Sequence, residues 1–424
     1  MHWGALKLNE MAGNFSAGAD PCLKRSSMKK TTALQEGIAS DLAGVTLCPL
    51  TACNLRCHYC YQDAEQIADP LHPPLDVFDP VRLAVDLTSL LSLSKRRRHS
   101  IVISGGEPLL LTEAWYRAFF SAMDGGTASS SKDIDYSLQT NMLRWGDGVM
   151  SLLKDRRVHF SVHYDGAVDD ASLRSEERRV NIERLQADGC SITAIVVGTP
   201  PALEGLSATL ELFRRCGVKH YHLNCVSCEG RGAGSPQPNP GRRAEAEFES
   251  AFFASQSDFA TWDPVIMNKF VSYARWSSGR KKPPPTPAPQ RCGAGTKTVV
   301  ISSDGTIYPC GFFPHATGPI GNLAGLPVLD PEAAKSISLC ERASPFFEER
   351  CPECLALPIC GDYCALTPTG DSGFMLSFCE SQRRLMTLME ENPRLVTVIV
   401  KRFLEYRTAC PRERPTTCGV IYED

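Results

Sequence analysis

Three observations predict an α/β fold with a parallel sheet, joined to a cysteine-rich C-terminal part. Short β-like runs alternate with helical stretches six times between residues 44 and 224. Three cysteines crowd into eight residues just after the first of those runs. A second cysteine array with defined spacing resumes beyond a proline-rich stretch, residues 281–290.

Residues 1–43 are rich in Gly, Ser and Ala and carry a basic run at 24–30, so a disordered segment is expected there. Strands are expected over 44–47, 100–104, 134–139, 158–163, 191–197 and 219–224. Helices are expected between and after them over 79–93, 112–123, 147–154, 173–187 and 202–216. Parallel strands need right-handed crossovers, and ligands then gather at the carboxyl ends of the strands. Helical patterns continue at 244–255 and 264–276. The stiff proline stretch marks a domain boundary near residue 290, so that 44–280 form the first domain and 291–380 the second. A hairpin is expected over 298–310, turning at Asp304-Gly305. Residues 380–391 and 393–407 read as amphipathic helices that cap the second domain, within a C-terminal part spanning 381–424.

The net charge of −3 gives no electrostatic reason to expect nucleic acid or an anionic membrane as partner. No apolar run is long enough for a transmembrane helix, and the first twenty residues hold no signal-peptide core. The 19 cysteines in so long a chain therefore read as metal-binding in a cytoplasmic protein rather than as a disulfide framework.

Cys53, Cys57 and Cys60 follow C-x3-C-x2-C, with Tyr59 before the last. Thiolates are soft ligands suited to iron–sulfur clusters or zinc. Three of them leave one iron of a four-iron cube open to a small molecule, whereas a closed zinc site wants a fourth ligand. After the second strand comes Ser104-Gly105-Gly106-Glu107-Pro108, where glycines permit close backbone approach and a carboxylate can meet an ammonium. The third strand ends Gln139-Thr140-Asn141, and the fourth ends His163-Tyr164-Asp165-Gly166.

This pattern resembles the radical S-adenosylmethionine (radical SAM) enzymes. The resemblance implies a partial (β/α)6 TIM-like barrel in which Cys53, Cys57 and Cys60 hold a 4Fe–4S cluster. SAM chelates the open iron, and Tyr59 packs near its adenine. Ser104, Gly105, Gly106 and Glu107 look like the motif that binds the SAM amino group. Asn141 would face SAM or substrate. Relatives usually place a Ser before the Asp-Gly to contact the SAM carboxylate. Here either His163 stands in that place or Ser161 serves from a shifted register, with Arg174 or Arg178 as the basic contact. Cys225-x2-Cys228 after the sixth strand is read as structural.

Beyond the linker stand Cys292 and Cys310, then Cys351, Cys354, Cys360 and Cys364 in C-x2-C-x5-C-x3-C, then Cys379. Polynuclear clusters or zinc are the physical readings of such an array. It resembles the seven-cysteine SPASM domain, which implies two auxiliary 4Fe–4S clusters, three clusters in all. Cys351, Cys354, Cys360 and Cys379 would hold one. Cys292, Cys310 and Cys364 would hold the other, whose fourth position is an open iron, Cys340 or a non-Cys ligand. By this resemblance the expected function is oxidative cross-linking or a similar modification of a ribosomally made peptide. Expected partners are a peptide or protein substrate and an electron donor such as flavodoxin or ferredoxin. Formylglycine formation in sulfatases and oxidation of a small metabolite are the alternatives. A zinc-bound binding protein is the non-enzymatic one.

Overall fold

The computed structural model describes residues 40–61, 78–166, 174–227, 229–279, 294–295, 297–311, 318–323, 351–360 and 372–410. The expected disordered segment therefore lies outside the described residues up to residue 39, as does the proline-rich linker 281–290.

A nine-stranded sheet organises the chain. Its first six strands are β1 (Gly44–Leu47), β2 (Arg98–Ile103), β3 (Asp133–Thr140), β4 (His159–His163), β5 (Ile192–Val197) and β6 (His220–Asn224). They run in the order β6-β5-β4-β3-β2-β1 and every neighbour pairs in parallel. The crossovers carry α1 (Pro80–Ser92), α2 (Glu113–Ser130), α3 (Asp147–Asp155), α4 (Ser175–Ala187), α5 (Pro200–Glu204) and α6 (Leu206–Arg215). Local chemistry sets several starts. Asp79 accepts from the Arg82 N–H with Pro80 in the first turn, and Thr112 accepts from the Trp115 N–H. Every expected strand is present within two residues. The helix expected at 202–216 is instead two, broken at Gly205, and α2 runs seven residues beyond its expected end at 123.

Strand alternation divides the sheet into two faces. Val45, Leu47, Ile101, Ile103, Leu138, Phe160, Val162, Ala194, Val196, Tyr221 and Leu223 enter one apolar core beneath the helices. The opposite face carries Ser104, Gln139, Ser161, His163, Thr193, His220 and His222. The sheet curls around that polar face. The loops after β1 and β6 meet although four strands separate them, with Gly232 N donating to Cys60 O at 2.9 Å and Ser235 Oγ to His58 O at 2.7 Å. This is a mostly parallel α/β sheet of the kind found in partial TIM barrels.

The sheet does not stop at the expected domain boundary. β7 (Thr298–Ile301) pairs in parallel with β1, and β8 (Thr306–Tyr308) and β9 (Gly321–Asn322) extend it antiparallel. The C-terminal helices reach helices that lie before the proline-rich stretch. α9 (Ser372–Glu391) packs along α7 (Pro240–Gln256), and α10 (Pro393–Ala409) packs against α8 (Pro264–Ser277). Phe259 and Trp262 explain the second contact: Phe403 meets both rings at 5.3 and 5.0 Å, and Tyr406 stacks on Phe259. No helix among the described residues is long and apolar enough to cross a membrane.

Candidate active site at the strand ends

The loop after β1 brings Cys53, Cys57 and Cys60 to the carboxyl edge of the sheet, all three half-buried. Leu55 N donates to Cys53 Sγ at 3.4 Å, and Asn141 Nδ2 lies 3.9 Å from the same sulfur and 2.8 Å from Asn54 Oδ1. Burial pushes the Cys53 thiol up to about 12 and the Cys57 thiol to about 11. Glu107 and the other two cysteines add to the rise at Cys53, and Asp165 adds to it at Cys57. Neutral thiols clustered in this way give up their protons when a metal arrives, because the cation replaces the missing solvation.

Gly105 and Gly106 serve the cysteine loop first. Gly105 has φ +104°, and a Cβ there would meet Leu50 O at 2.4 Å. One on Gly106 would meet Ala52 O at 1.9 Å. Their absence lets Gly106 N and Glu107 N donate to Leu50 O and Ala52 O at 3.0 and 2.8 Å. The Glu107 carboxylate is buried and accepts from Leu109 N, Thr140 Oγ1 and Asn141 N at 2.9, 2.7 and 2.8 Å. Burial raises its pKa to about 7 against those three donors. Glu107 thus ties the ends of β2 and β3 together and aims Asn141 at Cys53.

At the end of β4, buried Asp165 accepts a hydrogen bond from the Tyr59 hydroxyl on Oδ2 and one from the Val197 N–H on Oδ1 at 3.0 Å. Tyr59 packs with Val197, Val226 and Cys57. Arg178, fully buried, donates through Nη1 to His163 O at 3.0 Å and lies 3.5 Å from Asp165 Oδ2. Its Nε and Nη2 have no hydrogen-bond partner among the described residues. Arg174 is different: it starts α4 half-exposed and pairs with Glu177. Of the two arginines considered, Arg178 reaches the site from the buried face of α4, and Arg174 turns away because it is the N-cap, in left-handed backbone (φ 47°) ahead of the first turn.

His163 is half-buried at the mouth, and its Nε2 lies 2.7 Å from Gln139 Nε2. Gln139 Oε1 accepts from Ser104 Oγ at 3.0 Å, so its amide donates and His163 Nε2 accepts. That assigns a neutral imidazole with its proton on Nδ1, in keeping with the downward pull of burial on its pKa. Ser161 lies deeper, fully buried, its Oγ without a partner among the described residues. Below it His159 contacts Ser191 Oγ and Thr193 Oγ1 at 2.8 and 3.0 Å, and His220 and His222 share the same face. Burial lowers His159 to about 4 and His220 to about 3. These floor histidines were missed in the sequence. The period-two spacing of His159 with His163 and of His220 with His222, every residue on one strand face, was the available signal.

The second array is partly described. Cys292 and Cys364 lie outside the described residues, as do Cys340 and Cys228, while Cys310 follows β8 half-buried. Cys351, Cys354, Cys360 and Cys379 come together from the 351–360 loop and α9. Burial and mutual repulsion push Cys351 up to about 11 and Cys360 to about 12. Arg383 donates to Cys354, and Lys269 opposes the rise at Cys360. No group of three or more ligating side chains among the described residues is arranged to hold a single metal ion. Both cysteine groups nonetheless fit an iron–sulfur cluster in donor chemistry. Each gathers soft donors in a largely buried setting and brings hydrogen-bond donors or cations to the sulfurs. Cys225 stands exposed at the end of β6, beside a small cleft lined by Arg243, Phe378 and Ser381.

Comparison with known proteins agrees with this geometry. The family model described as Radical SAM superfamily matches residues 47–213. An uncharacterized protein of Synechocystis sp. is 25% identical over 197 residues, 43% of this chain and 47% of that protein, so the chain spans about half the length of the curated relative it matches. Among solved structures, native anSMEcpe with bound AdoMet and the Cp18Cys peptide shares the fold with a TM-score of 0.65 at 16% identity, covering 85% of this chain and 99% of that one. Streptococcus suis SuiB bound to precursor peptide SuiA has a TM-score of 0.48 at 12% identity, covering 66% and 61%.

Proposed function

We propose that this chain, whose residues 47–213 match the radical SAM domain, is a cytoplasmic oxidoreductase that modifies a peptide, with a C-terminal SPASM-type part that takes up the electron released. The observation that carries the reading is the gathering of Cys351, Cys354, Cys360 and Cys379 within the same fold as a complete strand-end site. The shared fold with a structure that holds AdoMet and a peptide supports the substrate class.

Cys53, Cys57 and Cys60 would hold the SAM-binding cluster, and Cys351, Cys354, Cys360 and Cys379 an auxiliary one. Cys292, Cys310 and Cys364 are the residues for a third. The bound cluster and SAM supply a 5′-deoxyadenosyl radical that takes hydrogen from an unactivated C–H bond. The chain does the positioning. Asn141 and the Leu55 N–H steady Cys53, while Glu107 steadies Asn141. Tyr59, tied to Asp165, closes the apolar side of the mouth beside Val197 and Val226 and keeps water from the reacting carbon. Arg178 offers two guanidinium nitrogens to a carboxylate, which fits the carboxylate of SAM. His163 holds its Nδ1 proton as a neutral donor. Flavodoxin or ferredoxin is the proposed source of the priming electron.

The test is anaerobic mass spectrometry of a candidate peptide incubated with the iron-loaded protein, SAM and reductant. Loss of two hydrogens per event, with formation of 5′-deoxyadenosine, is the expected result. Uptake of deuterium from heavy water without that loss would replace oxidation by epimerisation. Capture of the product by a hydrazide would replace cross-linking by formylglycine.

A further inference from the structure

Helix α4 does more than cross from β4 to β5. Arg178, Asn181 and Arg184 follow one another at three-residue intervals and form one stripe along it. Each is fastened near a strand end. Arg178 Nη1 donates to His163 O at 3.0 Å, at the end of β4. Asn181 Nδ2 donates to Met142 O at 2.7 Å, just past β3. The Arg184 guanidinium lies 4.1 Å over the Trp145 ring, in the loop from β3 to α3.

Met142 is the unusual member of that loop. Its φ is +58°, the left-handed region that favours glycine, and its side chain is fully buried. A residue held this way needs surroundings that over-determine it. Two hydrogen bonds do so: Met142 N donates to Thr140 Oγ1 at 3.0 Å, and Met142 O accepts from Asn181. The carbonyl after this step thus goes to α4, while the side chain before it goes to the cysteine loop. Asn141 Oδ1 accepts from Leu143 N at 3.0 Å, so Nδ2 is the end that meets Asn54 Oδ1 and Cys53 Sγ.

Arg178 and the cysteine loop are the two ends at which this site would grip one ligand. Their spacing is fixed while α4 stays fastened to the loop after β3, and Asn181 is the fastening that reaches the neighbour of Asn141. We propose that Asn181 is a positioning residue. It holds Met142, and through it the Asn141 amide at Cys53, in register with Arg178, so that SAM meets both ends at once. Two-point binding is tight only when the spacing is set in advance. The inference rests on the strand-end site being the SAM site of the proposed function.

The experiment is calorimetric titration of the iron-loaded full chain with SAM, arranged as a double-mutant cycle. Asn181→Leu keeps the shape of the side chain and removes its donor, and Asn181→Ala is made beside it. Each is expected to weaken SAM binding about fivefold, as the loss of one hydrogen bond does. Asn141→Ala is expected to weaken it at least as much. In the Asn141→Ala background, Asn181→Leu is expected to cost no further affinity. The urea midpoint should drop with Asn181→Leu in both backgrounds, because the bond to Met142 O is lost in both, and that is all a merely structural role would give. Calorimetry reports stoichiometry apart from affinity, so lost iron is not mistaken for weakened binding. Affinities of both Asn181 variants equal to the parent's overturn the proposal. So do losses that add in the double variant, which would make Asn181 act independently of Asn141. A parent that carries iron and binds no SAM removes the reading of the site, and the inference with it. A parent that binds SAM no better than the Asn181 variants removes the inference alone.

Discussion

Cys53, Cys57 and Cys60 lie in one loop braced by backbone, whereas Cys351, Cys354, Cys360 and Cys379 come from a loop and a helix braced by side chains. At the first group, glycines let β2's turn dock on the loop, and buried carboxylates tie the strand ends together. At the second, Arg383 of α9 donates to Cys354, and the Lys269–Glu247 pair of α8 and α7 lies close enough for the ammonium to be felt at Cys360. The difference teaches how one donor type can serve two tasks. Dipoles and carboxylates hold geometry without favouring added negative charge, while lysine and arginine favour it.

The sharpest way to break the comparison is at Gly106. Gly106→Ala places a carbon against Ala52 O, and the loop must move. A loss on the order of 3 kcal/mol is expected, together with loss of iron from the first group only. Thermal denaturation and iron counting check it, and unchanged iron would show that the loop does not depend on that contact. Next comes Arg178. Arg178→Gln should weaken SAM binding by about tenfold to a hundredfold, as loss of charge-assisted hydrogen bonds does. Arg174→Gln should leave it unchanged. Calorimetric titration of the iron-loaded protein distinguishes the two, and equal effects would return the choice of arginine to the open.

Tyr59→Phe probes the brace more gently. It removes the hydroxyl that Asp165 accepts, at a cost of about 1.5 kcal/mol, readable as a shift in urea midpoint with iron retained. The smallest expected effect concerns the floor of the barrel. His159 and His220 are lowered to about 4 and about 3 from an ordinary 6.5. The unfolded chain therefore binds protons that the folded one refuses. Stability is complete above about pH 6.5 and falls as the pH drops toward the folded values. Near pH 5.5 the loss is about 1 kcal/mol for each histidine taken alone. The two influence each other, so their losses do not simply add. Stability measured from pH 7 to 5 should flatten in His159→Gln, and an unaltered slope would place the acid sensitivity elsewhere.

Much of this architecture was legible in the sequence, for physical reasons that differ from place to place. All six strands were readable because their outward residues are apolar and their ends are punctuated. The cysteine loop was readable because its donors are local. What was not readable depends on tertiary approach. Nothing in the spacing shows that Gly105 and Gly106 meet Leu50 and Ala52, or that Glu107 spends its carboxylate on Thr140 and Asn141. Arg174 and Arg178 have the same chemistry, and only where the helix begins tells which returns to the sheet: Arg174 is its N-cap and Arg178 lies within it. Lys269 lies about ninety residues from Cys360, so its approach needed the packing of the helices that bring it there. β7 looked like the start of a separate unit because the proline stretch precedes it, yet it pairs with β1.

The division of labour between the two groups is tested most directly by one paired assay. Cys57→Ala and Cys354→Ala are each incubated anaerobically with SAM, dithionite and the candidate peptide, and 5′-deoxyadenosine and peptide mass are both followed. The account predicts no deoxyadenosine from Cys57→Ala, and deoxyadenosine without the two-hydrogen loss from Cys354→Ala. A full yield of oxidised peptide from Cys354→Ala would contradict it.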